Sequence, residues 1–186
     1  LVATSADGKE WSAPRVLAEP LGRRTLTAGG FMPTKYGLAG LYSDYDDDVA
    51  DTHLYAKVTP DGHKWSRATS LGLAMCSNQN PIQLSNGRRI LAGNFAMPFS
   101  DDPDGLAGWR WSSIAPEFPH EDNPWTFWQV RRSTHQAADL CEVSLVEDGG
   151  ALHAFFRATG ADYNGHLWHA LSTDFGTTWS RPEPID

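Results

Sequence analysis

Sulfur and positive charge are both scarce in this chain. Its 186 residues hold two cysteines and three methionines. The two thiols, Cys76 and Cys141, are too few for a disulfide framework, and a single bridge between them is open but unforced. Fifteen Lys and Arg face 23 Asp and Glu, a net charge of −8. With no basic stripe to offset that charge, a nucleic-acid backbone is excluded as a partner. No apolar run approaches the ~20 residues that span a bilayer, so no membrane partner is expected. Helical periodicity is missing as well: apolar alternation and turn punctuation dominate throughout. The chain opens on Leu1-Val-Ala-Thr with no signal-peptide pattern, so its compartment is not directly readable.

What is plentiful points to short strands joined by many turns: eight tryptophans, 17 glycines and 12 prolines. The stretch Ser172-Thr-Asp-Phe-Gly-Thr-Thr-Trp179 carries the strongest local signal. Serine and aspartate side chains bond to nearby backbone groups, glycine tolerates φ > 0, and the tryptophan needs a core to enter. Degenerate copies stand at Ser5-Ala-Asp7-Gly8-Lys-Glu-Trp11 and Thr59-Pro-Asp61-Gly62-His-Lys-Trp65. From Trp11 to Trp65 is 54 positions, and from Trp65 to Trp179 is 114, or two steps of 57. Hairpin turns recur in parallel at Lys35-Tyr-Gly37, Ser85-Asn-Gly87 and Glu147-Asp-Gly149, each between two apolar runs.

Ser-x-Asp-x-Gly-x-Thr-Trp resembles the Asp-box, the hairpin signature of sialidases and related β-propellers. The resemblance implies an all-β fold, a β-propeller of four-stranded antiparallel blades with Asp-box hairpins. Residues 1–18 then supply a half blade, 25–71 and 76–133 two blades, and 139–186 another. The 76–133 blade lacks the motif and has Pro116-Glu-Phe-Pro-His120-Glu-Asp-Asn-Pro124-Trp where one would sit. Propellers close with ~4–8 blades. The layout therefore predicts about three and a half blades of a six- or seven-bladed propeller, the remaining blades being further partners.

Strand order sorts loops onto two faces. Turns between first and second strands, and between third and fourth, share one face; the Asp-boxes lie there. Connections between blades, and between second and third strands, share the other, from which substrate usually enters propeller enzymes. That second face is predicted to hold Arg23, Arg24, Asn78, Gln79, Asn80, His135 and Gln136. It also takes the connections 42–51, 95–109 and 158–165. Glu142 begins the inner strand of the last blade and Arg157 ends its neighbour, so whichever register the Asp-Gly turn adopts, the two share one rim.

Glutamate, apolar strand, Asp-Gly, apolar strand and arginine is similar to the sialidase-family segment with a catalytic glutamate and a substrate-carboxylate arginine. By that resemblance Glu142 is the base that activates a tyrosine nucleophile and Arg157 one of three arginines gripping an acid sugar. A guanidinium forks onto a carboxylate, and a carboxylate near the anomeric centre stabilises oxocarbenium-like charge. A plain cross-strand ion pair remains the alternative for these two residues. The chain departs from the family in lacking an Arg-Ile-Pro stretch, which carries the family's first arginine. The general-acid aspartate normally precedes the first Asp-box, and the third arginine and the tyrosine would follow Asp186.

The expected activity is a sialidase-like glycoside hydrolase acting on a carbohydrate with acidic sugars. Glu142 is its catalytic residue; Arg157, His135, Tyr163 and Asn80 are its substrate-binding residues. Two other classes stay open. In a uronate lyase, Arg157 would neutralise the carboxylate and His135 or Tyr163 would exchange the C5 proton. In a non-catalytic propeller, surface aromatics such as Trp109, Trp111, Trp125 and Trp128 would hold sugars, though inter-blade packing is their default role. No metal and no cofactor is expected: the acidic run Asp44–Asp48 reads as a solvated loop, and the histidines show no ligand spacing. The family resemblance alone implies a secreted or periplasmic protein.

Overall fold

The computed structural model describes residues 1–20, 22–45, 52–77, 79–93, 97–114, 139–159 and 167–185. Among them there is no helix. Four strands, β1 (Thr25–Thr34), β2 (Gly37–Tyr45), β3 (His53–Thr59) and β4 (Thr69–Ser70), form one antiparallel sheet in that order. A second contains β5 (Ile82–Gln83), β6 (Arg89–Ile90), β7 (Phe99–Ser100) and β8 (Trp109–Arg110). β9 (Ser113–Ile114) follows it. A third sheet joins β10 (Asp139–Asp148), β11 (Ala151–Thr159), β12 (Leu167–Ser172) and β14 (Glu183–Pro184). β13 (Thr178–Trp179) pairs in parallel with β9 and so ties the last two sheets together. Each sheet is an up-and-down meander, a blade of a β-propeller. Residues 1–18 contribute the bridge Val2↔Arg15.

The first and third sheets repeat one register. Thr34↔Gly37 closes the first hairpin and Asp148↔Ala151 its counterpart, with an extra residue on the inner strand four pairs further on. Leu152 pairs with Ser172 as Leu38 pairs with Thr59, so both sheets enter their third-to-fourth turns from the same position.

Side-chain alternation makes each sheet two-sided. Met32, Ala39, Leu41, Leu54 and Ala56 of the first sheet pack towards the second, with Leu71, Leu73, Met75 and Leu91. On the second sheet's other face, Ile90, Ala92 and Phe99 meet Val143, Leu145, Leu152, Ala154, Phe156, Ala170 and Trp179 of the third. The cores therefore lie between blades.

The third-to-fourth turns are built as their sequence suggests. Ser172 Oγ accepts from Gly176 N at 2.9 Å, and Asp174 Oδ1 from Thr178 N at 2.9 Å. A Cβ on Gly176, at φ 78°, would come within 2.5 Å of Ile90, which reserves that position for glycine. Asp7 accepts from Lys9 N and Glu10 N, and Asp61 from His63 N and Lys64 N. Trp179 is buried, whereas Trp11 is exposed because no sheet among the described residues stacks over it.

The second sheet differs from expectation. Its third-to-fourth turn spans residues 101–108, well before Pro116–Trp125, which lies outside the described residues. There Ser100 Oγ accepts from Asp102 N at 3.0 Å, and Asp102 Oδ2 from Leu106 N and Ala107 N at 2.9 and 3.2 Å. Trp109 completes the turn and packs against the core between the first two sheets. A longer excursion between aspartate and tryptophan hid this member of the series. Consequently residues 101–108 lie on the turn face, not in a second-to-third connection as the sequence reading had it.

Polar ties lace that face together. Lys35 N and Nζ donate to Asp104, Ser85 N and Oγ donate to Glu147, and Arg88 Nη1 donates to Phe175 O and Thr177 Oγ1.

Two measurements test this account. Trp179→Ala should cost about 3–5 kcal/mol in urea unfolding, because it empties an inter-blade site. The second concerns acid. Backbone N–H groups of Lys64 and His63 pull the Asp61 carboxyl from its ordinary 3.8 down to about 2. The donors on Lys9 and Glu10 lower Asp7 likewise. At Asp174 burial pushes upward, but hydrogen bonds from Thr178 and Ser172 outweigh it and the carboxyl is lowered. A depressed carboxyl adds stability above its unfolded value and loses it as pH falls through the folded one. Melting temperature should therefore drop between pH 3.8 and about 2, and a flat profile there would contradict the turn-anchoring role.

Candidate functional site

The rim opposite those turns holds the candidate site. β10 pairs with β11 through Cys141↔Arg157 and then Ser144↔Phe155, so Glu142 and Val143 together face one partner residue in a β-bulge. Glu142 takes φ 53°, one of two non-glycine residues at positive φ among the described residues. Its carboxylate meets Arg157 Nη1 at 2.9 Å, with both side chains about half exposed. The sequence expectation that these two share a rim is met in this geometry.

The energetics of the pair are informative. The other positive-φ residue, Phe175, packs its ring against a core. Glu142 has no comparable apolar burial, and left-handed backbone costs a side-chain-bearing residue ~1–2 kcal/mol. A half-exposed ion pair returns ~0–1 kcal/mol. At the bulge in β1 the left-handed residue is Gly30, at φ 95°, where glycine removes most of that cost. Backbone strain of this kind concentrates at functional sites.

Two adjacent amide side chains brace this region. Gln79 Oε1 accepts from Leu145 N at 3.0 Å while its Nε2 donates to Leu145 O at 3.4 Å. Asn80 Oδ1 accepts from Phe31 N at 2.9 Å. Phe31 and Leu145 occupy equivalent positions after their bulges. Asn80, expected to bind substrate, therefore gives its carboxamide oxygen to the inner strand of the neighbouring sheet. The bracing role of Gln79 was not read from the sequence; the paired amides Gln79-Asn80 were the available signal.

Of the other expected residues, His135 and Tyr163 lie outside the described residues, as do Asn78, Gln136, Trp125 and Trp128. Arg24 is paired with Asp44 at 2.5 Å and mostly buried, which accounts for one member of the acidic run. Trp109 and Trp111 pack against the core between the first and second sheets. Cys76 is a free thiol, and burial raises its pKa.

The sequence also gave no hint that His153 Nδ1 and His169 Nε2 would approach to 2.9 Å. Burial, then the facing His153, holds His169 below the ordinary histidine range. Among the described residues no cluster of three His, Cys, Asp or Glu could hold a metal ion. A depression of about 480 Å3 beside β14 is lined by His169, Ser180, Arg181, Glu183, Pro184 and Ile185. It does not include Glu142 or Arg157.

No protein-family model matches this chain, and no curated protein sequence matches it. Solved structures do resemble it. A Dyadobacter fermentans protein of unknown function aligns over 98% of this chain and 57% of its own, with TM-score 0.64 and 16% identity. An α-L-arabinofuranosidase from Fusarium graminearum, solved with an iminosugar inhibitor, aligns over 98% and 57%, with TM-score 0.52 and 13% identity. A chain described as NanB with optactamide aligns over 73% and 19%, with TM-score 0.50 and 22% identity. At these identities the resemblance is one of fold. The chain spans little more than half the length of the first of these structures.

Glu142→Gly and Glu142→Ala remove the same side-chain contacts, but only glycine relieves the backbone at φ 53°. Chemical denaturation should show the glycine variant more stable than the alanine variant by ~1–2 kcal/mol. Equal stability of the two would contradict a strained position.

Proposed function

We propose that this chain forms the acid-sugar-binding part of a sialidase-like glycoside hydrolase. Arg157 holds the carboxylate of an acidic sugar, and Glu142 acts as base towards the nucleophile and stabilises positive charge at the anomeric carbon. The observation that carries this reading is the half-exposed Glu142–Arg157 pair, mounted on a left-handed bulge. A glycan-degrading enzyme among the structural neighbours supports the broader assignment to carbohydrate chemistry.

The chemistry is coherent at that rim. Arginine presents donors in a planar fork, the geometry that matches a carboxylate. The captured sugar is then oriented with its anomeric centre towards Glu142. Positioning by such a clamp and charge stabilisation by the carboxylate are the two contributions the pair would supply.

The test uses the 186-residue chain with two probes, N-acetylneuraminate and glucuronate, followed by isothermal titration, and a glycan panel scored for released sugar. Arg157→Ala should abolish probe binding. Glu142→Gln should retain it while lowering any turnover by ~10²–10⁴-fold, the usual contribution of a positioned acid–base group. Parent-like behaviour of both variants would refute the assignment. An unsaturated, ultraviolet-absorbing product would identify a lyase instead, and binding without any product a carbohydrate-binding propeller.

A further inference from the structure

We infer that Gln79 is the positioning residue of the Glu142–Arg157 site, acting from the neighbouring blade by fixing where the β10 bulge sits. This rests on the function proposed above. A β-bulge is one extra residue, and its location decides which residues after it face which way. Moving the irregularity by one residue along β10 would exchange the faces of Glu142 and Val143. Glu142 would then turn towards the inter-blade core where Val143 is buried, and away from Arg157. Something must therefore pin the strand just past the irregularity.

Gln79 is placed to do so. Both ends of its carboxamide engage the backbone of one residue, Leu145, which follows the first regular pair after the bulge, Ser144↔Phe155. A two-point grip on N–H and C=O fixes a residue's rotation about the strand axis as well as its position. A single hydrogen bond does not. The repeat within the chain supplies a comparison. At the equivalent bulge in β1, Asn80 makes one bond, to Phe31 N, and the bulge holds glycines. The two-point grip occurs where the bulge carries a glutamate. Ser85 also ties the second sheet to β10, through Glu147 near the opposite end of the strand, so that contact serves as an internal control.

The experiment measures binding of N-acetylneuraminate and glucuronate to the parent chain and to Gln79→Ala, Gln79→Glu, Glu147→Ala and Arg157→Ala, with amide exchange at Leu145 followed by NMR. Gln79→Ala should raise the dissociation constant at least about tenfold and accelerate exchange at Leu145. Gln79→Glu keeps an acceptor for Leu145 N but loses the donor to Leu145 O, so its affinity should fall as well. Glu147→Ala should lower the melting temperature but leave affinity unchanged, which separates positioning from general loosening. If Gln79→Ala does not fold, a folded Gln79→Glu decides: weakened affinity supports the inference and near-parent affinity overturns it. Parent-like affinity in Gln79→Ala alongside loss in Arg157→Ala would overturn the positioning role and leave the site reading intact. Parent-like affinity in Arg157→Ala, or no binding by the parent, would remove the site reading and this inference together.

Discussion

Burial of one sheet against the next is the constraint on which the rest of this structure depends. Each sheet presents alternating apolar residues on both faces, and a four-stranded sheet cannot cover either face by itself. Met32 and Leu54 are buried because the second sheet stands over them, and Leu152 and Phe156 because it stands on their other side. The turns are subordinate to that packing. Their serine and aspartate side chains satisfy backbone donors that would otherwise lie open, and so aim Trp179 and Trp109 into the gaps between blades. Arg88 shows how closely turn and packing are coupled. It stacks on Phe99 of its own sheet while its guanidinium bonds to the Ser172–Trp179 turn of the next.

The two rims of the molecule differ in how their charged side chains are held. On the turn face, charged side chains are committed to neighbours: Lys35 to Asp104, Arg88 and Arg110 to Asp101, Glu147 to Ser85. Towards the opposite face, β1 and β10 each carry a bulge. Glu142 and Arg157 remain half exposed, in contrast to Arg24 and Asp44, a more buried pair on the first sheet. The second pair fits a structural role, while the first combines solvent access with a left-handed backbone position.

Much of the fold was legible in the sequence because it is written in local chemistry. Ser172, Asp174 and Gly176 specify a turn through contacts within a few residues, so the motif is readable wherever its spacing is kept. Glu142 and Arg157 were legible for a related reason: a short Asp-Gly turn fixes the rim on which the ends of its two strands fall. Where spacing relaxed, the reading failed. Three extra residues or fewer between Asp102 and Trp109 were enough to shift the expected turn of the second sheet into 116–125 and to misassign residues 101–108 to the other face. The role of Gln79 was invisible for a different reason, since its partner Leu145 is 66 positions away.

The sequence by itself determined the strand-and-turn character, the two-faced blades, and the shared rim of Glu142 and Arg157, because all three follow from alternation and short-range hydrogen bonding. Only the tertiary structure decided that Glu142 stands on a left-handed bulge, that Gln79 and Asn80 brace the inner strands on either side of them, and that His153 and His169 meet. Those outcomes depend on register between strands and on packing between blades. Neither is encoded in any short window of residues, since a shift of one position changes which face a side chain occupies.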